Sequence, residues 1–304
     1  MDKRHHKQVT GCVTAFLTAG LLALPTVQAA TITQTANDGG VGWNSATLWG
    51  GSAPTAGNDY VTAAGLVASS ATALGASSNV TGRVRLISSQ TTFGGDSITV
   101  SAGTEILGKD AGTYTANLIL NGGILRWSPN AGANATMAGT IHVAADSVLG
   151  SVQSNASIFT ISSTITGSNT LRLATGTGTN QTITFDDGAG LSLNGFDGAL
   201  DIGGGGTRAI VDFNQAYNMG LAGITMGNYL TADILNLDAS ITVESFSFGG
   251  NSLAAGIYST TDLNGSFGTG SQFTGTGSLI VIPEPSAALL GSLGLLALLR
   301  RRRA

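Results

Sequence analysis

The chain has 304 residues, a formal net charge of −4, only 10% charged residues and 45 glycines. Between residues 31 and 282 six basic residues face fifteen acidic ones, near −9, which excludes nucleic acid as a partner because phosphate contacts need clustered Lys and Arg. Cys12 is the only cysteine and lies in a predicted leader, so the remaining chain has no disulfide, thiolate metal site or Cys nucleophile.

The first 30 residues read as a secretory signal peptide. Lys3, Arg4 and Lys7 precede an apolar or small run from Gly11 to Leu24, Pro25 ends it, and Val27 and Ala29 place small residues where a signal peptidase reads. Cleavage is expected between Ala29 and Ala30, or one residue later. The run is shorter than the roughly 20 residues a membrane span needs. Cys12 precedes the run instead of following it, which argues against a lipoprotein signal.

The body, residues 31–282, is rich in Val, Ile, Leu, Thr and Ser, a composition that folds. Helix formers are scarce, with Lys109, Glu105 and Glu244 its only lysine and glutamates. Ala63 to Ala76 is the nearest helix candidate, and its glycines and hydroxyl residues weaken it. Short alternating segments recur instead: Val84–Ile87, Ser97–Val100, Asn117–Leu120, Thr140–Val143, Phe159–Ile161, Leu171–Leu173, Thr182–Phe185, Leu191–Leu193 and Ile241–Val243. Turn signals such as Asn121-Gly122-Gly123 and Asp186-Asp187-Gly188 separate them.

Ile98, Leu118, Ile141, Ile161 and Ile183 follow one another at 20, 23, 20 and 22 residues, close to the contour of a solenoid rung. The expected fold is therefore all-β: a parallel, right-handed β-solenoid or β-helix, favoured over a sandwich or jelly roll. The predicted leader and the C-terminal segment are the only helices expected.

Candidate chemistry in the body is sparse. His142 is its only histidine and should face outward between Ile141 and Val143. Asp186-Asp187 could be a glycosidase pair, but the following Gly188 favours a turn. Asp197 and Asp201 could share an ion across a rung, though turn use is favoured. The run Gly203 to Gly206 has no phosphate-loop Lys and reads as a corner. Trp43 and Trp49 fit an end cap better than a sugar platform. The body is thus expected to be non-catalytic and to need no cofactor or metal.

The tail, residues 283–304, carries Pro283-Glu284-Pro285, an apolar segment from Ala287 to Leu299, and Arg300, Arg301, Arg302 and Arg303. A helix of that length is about 20 Å, short for a hydrocarbon core of about 30 Å. The arginines would hold the end in the cytoplasm, giving a transient membrane contact. These three parts in order resemble the PEP-CTERM sorting signal of Gram-negative bacteria. The resemblance implies an exosortase as partner, and delivery to the cell surface or extracellular matrix, often alongside exopolysaccharide.

The body has resemblances of its own. Ser163 to Leu171, Thr182 to Phe185 and Asn194 to Leu200 resemble the autotransporter-associated β-strand repeat of bacterial passenger domains. Trp43-Asn44, Trp49-Gly50 and Pro54 to Val61 resemble the start of such passengers, and Gly256 to Leu263 with Phe273 to Val281 the segment that precedes a PEP-CTERM tail. No alternating barrel segments follow Val281, so sorting would run through the tail. The function expected is that of an exported, non-catalytic surface or matrix protein with exopolysaccharide as its candidate contact. The alternative is a carbohydrate-active β-helix enzyme, a polysaccharide lyase or glycoside hydrolase.

Overall fold

The computed structural model describes residues 30–36, 43, 45–55, 58–62, 66–68, 77–80, 83–86, 97–108, 111–127, 133–151, 157–175, 181–190, 192–203, 209–220, 222–227 and 234–282. The chain in these residues winds as a parallel β-solenoid. Each strand pairs with the strand one turn earlier and the strand one turn later, giving ladders of 13, 10 and 4 strands.

Alternation along the strands decides what faces the lumen. Ile98 and Val100, Leu118 and Leu120, and Ile141 and Val143 point inward, and their neighbours in sequence face solvent. Backbone pairing aligns these residues, with Ile98 opposite Leu118 and Leu118 opposite Ile141. Each turn therefore drops its apolar side chains onto those of the turn before, and one continuous core runs along the axis.

The spacing read from the sequence holds for those first three anchors and then slips. Ile141 pairs with Ile165, not Ile161. Ile161 lies opposite Met137 and Phe185, and Ile183 lies opposite Phe159. Two columns of apolar residues, a few positions apart on the same turn, had been read as one. The true offset here is 24 residues, seen also from Leu125 to Leu149 and from Leu149 to Leu173.

The cause is a corner inside a strand. Ala135–Ala145 is a single strand, yet residues 135–137 pair with Ser157–Ile161 and residues 140–142 with Thr164–Gly167. The bend sits at Gly139, whose φ is +93°, and a Cβ there would lie 2.2 Å from the Ala116 carbonyl oxygen. Only glycine fits both the angle and the approach. From this point the turns have three faces: one continuing Ala135–Met137, one continuing Thr140–Val143, and one containing Ser147–Ser151.

Three more expectations are corrected. Ser192 to Asn194 form a turn, not a strand. Gly112–Asn121 and Ala135–Ala145 run to 10 and 11 residues, longer than the short strands expected. An α-helix, Thr260–Phe267, stands outside the leader and tail. The Ser259 hydroxyl accepts from the Asp262 amide at 3.1 Å, and the Asp262 carboxylate accepts from the Ser259 amide at 2.9 Å. This reciprocal cap starts a helix that propensity alone would not. Of the Ala63 to Ala76 candidate, Leu66–Ala68 is a strand and the rest lies outside the described residues.

Both ends of the stack are closed. At the start, Trp43, Trp49 and Tyr60 are buried together, with the Trp49 indole N–H donating to the Trp43 carbonyl at 2.7 Å. At the far end Phe246, Phe248, Phe267 and Phe273 form a second aromatic cluster. Two antiparallel strand pairs finish that end: Ser245–Phe248 with Asn251–Ser252, and Gly256–Ser259 with Ser278–Val281.

Candidate functional site

The outward side chains of successive turns form rows parallel to the axis. On the first face one row runs Thr113, Thr136, Thr160, Thr184, Asp212, Asn236 and Thr274. At its acidic end the Asn236 amide donates to Asp212 at 2.7 Å and the Thr274 hydroxyl donates to Asn236 at 2.9 Å. The Asn214 amide lies between two carboxylates: as placed it is 3.3 Å from Asp186, and turned over it is 2.8 and 3.1 Å from Asp212. Burial raises the pKa of Asp212, and the Asp238 and Asp186 charges push the same way while the Asn236 bond opposes them.

On the third face the row runs Val148, Arg172, Asp201, Thr225 and Ser247. Arg172 Nε meets Asp201 Oδ2 at 3.0 Å. Asp201 is therefore a strand residue in an ion pair, not the turn residue expected. Asp197, expected beside it, is exposed near the end of the Gly195–Phe196 strand, and its amide donates to the Gly167 carbonyl at 2.9 Å. Alongside the row lies an open cleft of about 460 Å³, with Asp146 and Thr170 on its far rim. Asp146 Oδ1 accepts from the Thr170 amide at 2.8 Å. A second ion pair on this face, Arg126 with the buried Glu105 at 3.2 Å, stands outside the cleft.

The other candidates are occupied structurally. His142 faces outward as expected, and its Nδ1 lies 3.0 Å from the Thr166 hydroxyl. Asp187 serves the turn: Oδ1 accepts from the amides of Ala189 at 2.9 Å and Gly190 at 2.6 Å, and Oδ2 from that of Ser192. Asp186 Oδ1 accepts from the Gly188 amide at 3.2 Å and from Gln215 Nε2 at 3.3 Å. Beneath this turn the Tyr217 hydroxyl is buried beside Ser192 and Asp187, and burial pushes its pKa up to about 12. Trp43 and Trp49 are 1% and 4% exposed, so neither offers a ring face to a sugar. Gly203 has a φ of +69°, as a corner requires, and Gly204 to Gly206 lie outside the described residues.

No group of three or more His, Cys, Asp or Glu among the described residues could hold a metal ion, and no described helix is long and apolar enough to cross a membrane. Of the predicted processing residues, Ala30 is described, its amide donating to Asn58 Oδ1 at 3.3 Å. Ala29, Pro283, Glu284, Pro285, Arg300, Arg301, Arg302 and Arg303 lie outside the described residues. The rows and the cleft were not foreseen. Their signal in the sequence is Thr or Asp in alternate strand positions recurring near the 24-residue offset, which needs the register to be read. No family model, curated protein or solved structure matches the chain.

Proposed function

We propose that this protein is an exported, non-catalytic component of the cell surface or extracellular matrix, whose outer faces contact exopolysaccharide. Signal peptidase removes the leader, and an exosortase-type enzyme processes the PEP-CTERM-like tail after transient anchoring of its apolar segment. The leader and tail motifs support the route, and the solenoid supports the role. One observation carries it: the hydroxyl, amide and carboxyl groups of the outer faces line up in rows along the axis, while Asp186 and Asp187 are committed to turn hydrogen bonds. A repeating polymer lying along the axis meets the same polar groups at every turn.

Cell fractionation tests the route. The native chain should reach the surface or matrix fraction without its tail, and a chain with Arg300 to Arg303 replaced by Ser should stay unprocessed in the wrong fraction. Intact tail on surface protein at native levels would defeat the sorting reading. Incubation with polysaccharides tests the role. Binding without turnover is expected, and turnover lost in a folded Asp186→Asn, Asp187→Asn variant would establish the carbohydrate-active enzyme instead.

A further inference from the structure

Resting on the exopolysaccharide reading, we infer that the cleft beside Arg172 and Asp201 is a binding site for neutral, diol-bearing glycans. Its starting point is a half-used ion pair. Arg172 engages Asp201 through Nε alone, and its side chain is 45% exposed. A guanidinium carries five N–H donors, so the two Nη groups remain to donate into the cleft. Asp201 uses Oδ2 for Arg172, and Asp146 uses Oδ1 for the Thr170 amide. Each keeps a second carboxylate oxygen as an acceptor.

The cleft thus offers a forked donor and carboxylate acceptors side by side. Vicinal hydroxyls match this, because each hydroxyl both donates and accepts. Charge selects further. Two carboxylates and one guanidinium leave the cleft net negative, so a uronate or phosphate group meets repulsion while a neutral sugar does not. Val148, Ala199 and the Thr225 methyl supply apolar surface for the C–H face of a ring. Val148, Arg172, Asp201 and Thr225 stand on four successive turns. At about 4.8 Å per turn that span is about 14 Å, which seats a short oligosaccharide along the axis.

The site is tested by calorimetric titration of the purified exported chain with cellohexaose and mannohexaose, with trigalacturonate as the acidic comparison. Saturable binding of a neutral hexaose is expected, and weaker or no binding of trigalacturonate. Arg172→Gln and Asp201→Asn should each weaken binding by about tenfold or more, because each removes charge-assisted hydrogen bonds. Both are exposed enough that the thermal midpoint should barely move. Thr225→Glu, which fills and charges the cleft without touching the ion pair, should give the same loss. Arg126→Gln, on the same face outside the cleft, should bind as the native chain does. Neutral binding unchanged in Arg172→Gln, Asp201→Asn and Thr225→Glu would overturn the cleft and leave the exopolysaccharide reading standing. Preference for trigalacturonate would overturn the neutral specificity. If neither the hexaoses nor exopolysaccharide from producing cells binds, both readings fail together.

Discussion

Phe185 and Phe213 stack almost parallel on successive turns, with ring centroids 5.0 Å apart and planes 10° from parallel. Both are fully buried, and backbone pairing places them in register. Phe213 also meets Tyr217 edge-on at 5.9 Å. Phe213→Ala should therefore cost about 3–5 kcal/mol. A double-mutant cycle with Phe185→Leu and Phe213→Leu should return a coupling of about 0.5–1.5 kcal/mol. Denaturant unfolding measures both, and zero coupling would show that the stack contributes only buried area.

Gly139 and Gly188 separate two demands on glycine. Both have positive φ, +93° and +72°. A Cβ on Gly188 meets nothing within 4 Å, whereas one on Gly139 collides with the Ala116 carbonyl. Gly188→Ala should cost about 1–2 kcal/mol, the price of the left-handed conformation alone. Gly139→Ala should cost more, because the strand corner must move. Equal thermal midpoints for the two variants would mean the corner is soft.

Asp212 gives the fold a pH dependence of known sign. Its folded pKa lies above the usual 3.8, so the folded chain holds this proton more tightly than the unfolded chain does. Its favourable contribution is whole below pH 3.8 and is lost as pH rises through the folded value. Asp212→Asn keeps a hydrogen-bonding group opposite Asn236 and removes the charge. The variant should melt a few degrees above the native protein at pH 7, and the gap should close toward pH 3. A gap that widens on acidification would reverse the assignment.

Asp187 should be a stability residue. Three backbone amides converge on its carboxylate. Asp187→Ala should destabilise by about 1–3 kcal/mol, because part-buried N–H groups lose their acceptor. Asp187→Asn should recover part of that loss. Thermal melts of the two variants decide it, and an Asp187→Ala chain as stable as the native one would return this carboxylate to the list of free acids.

The strands were legible because alternation needs only local sequence: Ile98/Val100 and Ile141/Val143 announce an inward face without any knowledge of their neighbours. Register was less so, since Ile161 and Ile165 are both apolar and only the corner at Gly139 distinguishes their columns. The helix at Thr260 was hidden by poor propensity, with Gly265 in its interior, although Ser259 and Asp262 spell a capping box. Leu191-Ser192-Leu193 alternates like a strand but is held as a loop by Asp187. The cleft could not be read, because Arg172 and Asp201 lie 29 residues apart and meet only through strand pairing.

The 24-residue offset makes the protein modular in length. Each turn touches only the turns beside it, and the special chemistry of the ends is confined to the two aromatic caps. Adding or removing one whole turn would leave every other interface intact and change the reach of the molecule by about 4.8 Å. Reach can therefore be varied by duplicating a segment within one gene, while the caps that stop strand-by-strand growth stay fixed.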